Sequence, residues 1–174
     1  MIWPEHLKCQ IESPASDDDI TKLLASVFAP LTDKEIDSLI SEHEKAVGEG
    51  SFDPPFDPSA WKLPKPHLPE SYLNFLRFSN GGYFAGTSRD LDPLFAANQV
   101  REYMLAYSIP RWMPLSCPIG FDGGGTFYLL DMRDTSSAGE YPILFSHAGN
   151  LGYEDAVVLA DSFASLVATN LGQS

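Results

Sequence analysis

Basic residues are scarce in this chain and stop early. There are 11 Lys and Arg against 24 Asp and Glu, a formal net charge of −13, and no Lys or Arg follows Arg133. The seven bases after residue 60 stand singly, so no groove for nucleic acid is expected. A field of this sign also repels anionic membrane, and it speeds encounter with a basic partner. Solubility alone accounts for much of such a charge. Cysteine is nearly missing: Cys9 and Cys117 lie far apart, which excludes a disulfide framework and predicts two free thiols in a reducing cytoplasm. No apolar run is long enough to span a bilayer. The start Met1-Ile2-Trp3-Pro4-Glu5-His6 lacks the basic and apolar regions of a secretory signal. Metal-ligand spacings are also missing. No Cys-x-x-Cys, His-Glu-x-x-His or EF-hand pattern occurs, and His6, His43, His67 and His147 stand in unrelated contexts. No metal and no cofactor are therefore expected. Gly-x-Ser-x-Gly is absent, which removes a serine nucleophile elbow.

What remains is a globular composition. The 174 residues are 44% hydrophobic and 12% aromatic, enough for a core. The acids lean toward the front: residues 1–60 hold 13 of them with 4 bases, residues 61–174 hold 11 with 7. The most informative run is Pro118-Ile119-Gly120-Phe121-Asp122-Gly123-Gly124-Gly125-Thr126-Phe127-Tyr128-Leu129-Leu130-Asp131. A Walker cradle needs Gly-Lys-Ser/Thr opening a helix, and a Rossmann fingerprint also needs a helix after its glycines. Here a β-branched and aromatic stretch follows, so the glycines predict a tight turn between two strands.

Along the chain, Ser16 is expected to cap a short helix through Asp17, Asp18 and Asp19 into Leu23, Leu24 and Val27. Thr32-Asp33-Lys34-Glu35 is a capping box for a second helix, with Ile36, Leu39, Ile40, His43 and Val47 on one stripe and Gly48 as its stop. His43 is read as a packed histidine. Residues 49–67 form a Pro-rich arm, whose Phe52, Phe56 and Trp61 are expected to anchor it to the core. A third helix starts at Pro69 and stops at Asn80-Gly81-Gly82. A fourth runs from Asn98, as cap, to before Pro110, with Val100, Tyr103, Met104 and Tyr107 inward, and a last one is capped by Asp161. Strands are predicted at 83–84, 91–95, 115–121, 126–131, 141–147 and 157–159. Short turns between them imply antiparallel pairing, and the fold class is α+β. The expected organisation is an N-terminal extension over 1–31 with a short helix, then one α+β domain over 32–174 carrying the arm.

The candidate functional residues are acids and aromatics. Asp122 and Asp131 flank a strand, with Glu154 and Asp155 further on, and two carboxylates can do acid–base work. No nucleophile or metal pattern accompanies them, so Asp122 is read as bonding the backbone of the glycine turn. Cys117 is read as a buried, inert thiol.

Several cues in order resemble the SUKH superfamily, in particular its SMI/KNR cell-wall-regulator-like branch. They are Glu44 before Val47-Gly48, then Leu68-Pro69-Glu70-Ser71-Tyr72, then Phe75-Leu76-Arg77-Phe78-Ser79-Asn80-Gly81-Gly82. Pro118-Ile119-Gly120, Asp122-Gly123-Gly124-Gly125, Tyr128-Leu129-Leu130-Asp131 and Asp161-Ser162-Phe163-Ala164-Ser165-Leu166 complete the set. The resemblance runs from about residue 32 to residue 169, and the arm and the N-terminal extension depart from the family pattern. It implies an α+β fold with an antiparallel sheet of about four to six strands, helices packed around it, and no enzymatic activity. It also implies a protein partner. Many bacterial members look like immunity proteins of polymorphic toxin systems, in which a cytoplasmic protein blocks a toxin domain, often a nuclease. The expectation is a non-catalytic protein that binds a basic toxin domain, with neither nucleic acid nor membrane as partner. The contact candidates are Asp122, Asp131, Glu154 and Asp155 with Tyr83, Phe84 and Tyr128. The alternatives are a regulatory or scaffold interaction module and a hydrolase using clustered carboxylates.

Overall fold

Segments that alternate apolar residues with turn formers pair with their neighbours in sequence, and here that produces an uninterrupted meander. A computed structural model describes residues 9–47, 56–65, 67–85, 90–134 and 137–170. Its sheet has seven strands in chain order: β1 (Cys9–Ile11), β2 (Gly82–Phe84), β3 (Leu91–Leu94), β4 (Ser116–Phe121), β5 (Thr126–Asp131), β6 (Ile143–His147) and β7 (Val157–Ala160). Every pairing is antiparallel. The helices are α1 (Asp17–Ser26), α2 (Asp33–Val47), α3 (Glu70–Phe78), α4 (Gln99–Ala106), α5 (Ile109–Trp112) and α6 (Phe163–Asn170). The chain is α+β, with one strand more than expected.

The additional strand is β1, in a stretch with no legible period. Three residues cannot hold themselves as a strand; their partner holds them. Gly82, at φ +119, lies directly against the Gln10 carbonyl, where any Cβ would collide with its oxygen. Glu12 N–H donates to Ser79 Oγ at 2.9 Å, which extends the attachment. The glycines that stop α3 thus also admit β1.

Burial is nearly continuous in β4 and β5, as expected for interior strands covered on both faces. Phe127 is fully buried between Tyr107 (4.8 Å between ring centroids), Phe121 (4.7 Å) and Phe95 (6.3 Å), which seats α4 on the sheet. Phe163 of α6 meets Tyr72 and Phe75 of α3 at 5.3 and 5.4 Å, and Phe75 meets Phe84 of β2. Pro118 has no N–H to give the interior strand β4, and the β4–β5 register shifts between Pro118 and Gly120.

The expected capping box at Thr32 is present, and the expected Ser16 cap is a capping box as well. Ser16 Oγ accepts from Asp19 N–H, and Asp19 Oδ2 accepts from Ser16 N–H. Thr32 and Glu35 make the same reciprocal pair. Two other caps shift. Asn98 makes no side-chain cap; Gln99 Oε1 accepts from Ala96 N–H instead, at 2.9 Å. The last helix is capped by Ser162 and not Asp161, with Ser165 N–H donating to Ser162 Oγ at 3.0 Å. Tyr107 packs its ring on Phe127 yet stays 40% exposed.

Besides the buried Ile20, Leu23 and Val27, one cation joins α1 and α2 to α4. Arg101 of α4 donates from Nε and Nη2 to the Glu35 carboxylate at 2.8 and 3.0 Å. Its Nη1 donates to the carbonyls of Ser26, Val27 and Ala29 at 2.6, 3.2 and 3.0 Å. Those carbonyls lie at and just beyond the end of α1, where a cation complements the helix dipole. The Arg101 guanidinium holds the Glu35 carboxyl down at about 2.

The described part of the arm is anchored by its aromatics. Phe56 stacks on His43 at 4.0 Å and 10°, and Trp61 meets Phe56 edge-on at 5.7 Å. Leu115 N–H donates to Lys62 O. The stop at Gly48 and the anchor at Phe52 lie outside the described residues.

Candidate protein-binding surface

The glycine turn is built as its sequence requires. After β4, Asp122 Oδ1 accepts from Gly124 N–H and from Thr126 N–H, both at 2.8 Å, and Asp122 N–H donates to Thr126 O at 3.0 Å. Gly123 and Gly125 take φ of +68 and +99, which other residues adopt only with strain. A strand follows Gly125, with no helix end there to hold a phosphate.

Further acids gather beside this turn. Asp92 lies against Gly123, its carboxylate oxygen 3.7 Å from where a Cβ would stand. Tyr83 Oη donates to Asp90 Oδ2 at 3.2 Å, and Tyr128 Oη donates to Asp90 O at 2.8 Å. Burial, followed by the charge of Asp90, raises the Tyr83 hydroxyl pKa. Asp90 and Asp92 were not singled out from the sequence. Their spacing of two, which places residues on one side of a strand, was the available signal.

Asp131 sits at the opposite end of β5. Some 17 Å of strand separates it from the turn, at the rise of an antiparallel strand. Arg133 Nε and Nη2 donate to its two carboxylate oxygens at 2.9 and 2.7 Å. That pairing raises the pKa of Arg133, whose guanidinium lies 3.6 Å from the Tyr153 ring centroid. Tyr153 Oη in turn bonds Pro114 O and Ser116 Oγ. The two carboxylates of the acid–base alternative are therefore apart and each is occupied: Asp122 by the turn backbone, Asp131 by a guanidinium.

Residues 148–156 cross from one end of the sheet to the other. Ala148 N–H donates to Gly125 O at the turn end, while Tyr153 reaches Ser116 at the other. Glu154 and Asp155 follow, both exposed, and Asn150 Nδ2 donates to Asp155 Oδ2 at 2.6 Å. The aromatic candidates divide. Tyr83 is partly exposed, whereas Phe84 (1% exposed) and Tyr128 (0%) are core residues with no surface for a partner. Their aromatic and apolar surroundings marked them as strand residues, but not which side chains were buried.

Two open grooves flank the arm. One of about 640 Å³ is lined by Trp61, Leu63, Leu115 and Met132 with Lys62 and Lys65. The other, of about 520 Å³, shares Trp61, Leu63 and Lys65 and adds Phe28 and Ile36. Among the described residues, no three His, Cys, Asp or Glu side chains converge as metal ligands, and no helix is long and apolar enough to cross a membrane. Cys117 is free and fully buried, and burial drives its thiol pKa far up, away from thiolate chemistry.

A search of curated proteins finds no match. A family profile matches residues 62–169, beginning within the arm and ending in α6. That span contains β2 to β7, the Asp122 turn and the Asp131–Arg133 pair, and by it the chain belongs to the SMI1 / KNR4 family (SUKH-1).

Proposed function

We propose that this chain is a non-catalytic binding protein of the immunity type, acting in the cytoplasm on a basic toxin domain. The observation that supports it most is the net charge of −13 on a family fold whose strand-flanking carboxylates are already occupied. An acidic surface laid over a cationic substrate groove blocks it sterically and is steered there by its charge. We assign the contact first to Glu154 and Asp155, which stay exposed, with Tyr83, Asp90, Asp92 and Asp122 as a second acidic patch. Asp131 serves its guanidinium partner. Burial of aromatic or aliphatic anchors supplies most of the affinity, and the charges set partner choice and on-rate.

The test is purification with toxin domains encoded beside the gene, followed by titration calorimetry and toxicity rescue. The expected result is tight binding that weakens as salt rises, with toxicity abolished by co-expression. If no neighbouring toxin is bound or neutralised, the immunity role is wrong and a regulatory interaction module takes its place.

A further inference from the structure

Among the described residues the meander leaves β7 as a terminal strand, paired only with β6. Its first two residues, Val157 and Val158, are 57% and 59% exposed, the two highest values among the large hydrophobic residues that stay exposed. Successive strand residues face opposite sides of a sheet, so neither layer of the fold reaches over the start of β7. Edge strands normally carry a lysine, an inward charge or a proline that blocks further pairing, and Val157-Val158-Leu159-Ala160 carries none. At the other edge, β1 is three residues long, and polar Gln10 and Glu12 bracket the exposed Ile11.

The flanks of β7 say what can pair with it. Glu154 and Asp155 precede the strand, Asp161 follows it, and all three are exposed. The ion pairs among the described residues involve Lys22, Arg77, Arg101 and Arg133, and none reaches these acids. A second copy is a poor occupant. Antiparallel self-pairing centred on Val158 sets each Asp161 opposite Asp155 of the other copy, in a protein of net charge −13. An extended segment with a β-branched centre and basic ends matches both the apolar strand and its acidic flanks.

We infer that β7 is a docking edge that takes up an extended basic segment of a partner protein as an eighth strand. Main-chain hydrogen bonds from the open side of β7 supply pairing, Val157 and Val158 supply apolar contact, and Glu154, Asp155 and Asp161 select for lysine or arginine at the ends. This rests on the basic-partner function proposed above and names the surface that performs it.

The probe is a nine-residue peptide of alternating valine and threonine with two lysines at each end, titrated into the full chain and followed by amide chemical shifts and hydrogen exchange. Saturable binding is expected, with shifts and slowed exchange concentrated at residues 157–160. Val157→Arg/Val158→Arg should weaken it about tenfold or more, and the same peptide with glutamate ends should not bind. Both valines are exposed, so this variant should melt with the wild type; Glu154→Lys/Asp155→Lys is a second variant that leaves the strand untouched. No saturable binding overturns the inference, as does binding that maps to β1 or the Trp61 grooves, or binding indifferent to both variants. If the peptide docks at β7 but no neighbouring toxin is neutralised, the edge stands and the immunity role falls. If a toxin is neutralised equally by wild type and Val157→Arg/Val158→Arg, the role stands and the edge falls.

Discussion

In β4 and β5 burial runs almost unbroken along the strand, whereas α2, at fifteen residues the longest helix described, has Leu39 as its one buried residue. The hairpins are held by apolar area, which is non-directional and insensitive to pH. The front of the molecule is held by β1 against a glycine, by Ile20, Leu23 and Val27 of the α1 region, and by the fork of Arg101. Its attachment is thus partly directional and charged. The difference teaches that one chain can carry two grades of cohesion, and that the family match at 62–169 covers the more deeply buried one.

The largest expected effect lies in the hairpins. Phe127→Ala removes the ring on which Tyr107, Phe121 and Phe95 meet and should cost about 3–5 kcal/mol. Urea unfolding should show it as one global transition at lower midpoint; a loss confined to α1 and α2 would break the comparison.

Arg101→Ala comes next, at about 2–4 kcal/mol, because it strands the Glu35 carboxylate and several helix-end carbonyls. Here the loss should be local. Native-state hydrogen exchange should speed over residues 17–47 while β4–β6 stay protected. Arg101→Lys should recover only part, since an ammonium cannot fork.

Acid should separate the two regions without mutation. Glu35 titrates lower folded than unfolded, so its contribution is complete above about 4.5 and is lost as pH falls toward about 2. The amount is smaller, about 1–2 kcal/mol, because the pair is partly in water and Arg101 keeps its carbonyl partners. Exchange over 17–47 should accelerate across that window, and Glu35→Gln should abolish the step. A step that persists in Glu35→Gln would assign it to another carboxylate.

The smallest effect is at the first capping box. Ser16→Ala should cost about 1 kcal/mol and fray α1 alone, read as a modest drop in melting temperature.

Legibility followed the range of the interactions. Ser16, Thr32, Pro69 and the glycine turn act within four residues of themselves, so the Ser16 cap, the Thr32 capping box, the start of α3 and the β4–β5 hairpin were readable in order. The same locality made Asp122 legible as a turn-bonding carboxylate. Neither β1, nor the absence of a side-chain cap at Asn98, nor the short helix α5 that includes Pro110 could be read, because each depends on what the fold brings alongside. The site behaved likewise. Exposed Glu154 and Asp155 were found by charge, whereas Phe84 and Tyr128 needed to be seen buried, and Asp90 and Asp92 needed the turn packed beside them.

By itself the sequence determined the α+β class, the order of the meander, the acidic field and the family cues, since turn chemistry, periodicity and net charge are local or additive. The tertiary structure alone decided which acids are occupied, that Arg101 ties α1 and α2 to α4, and that β7 ends the sheet with two valines uncovered. Those outcomes depend on side chains from distant segments arriving within a few ångströms of one another, and no spacing along the chain encodes that.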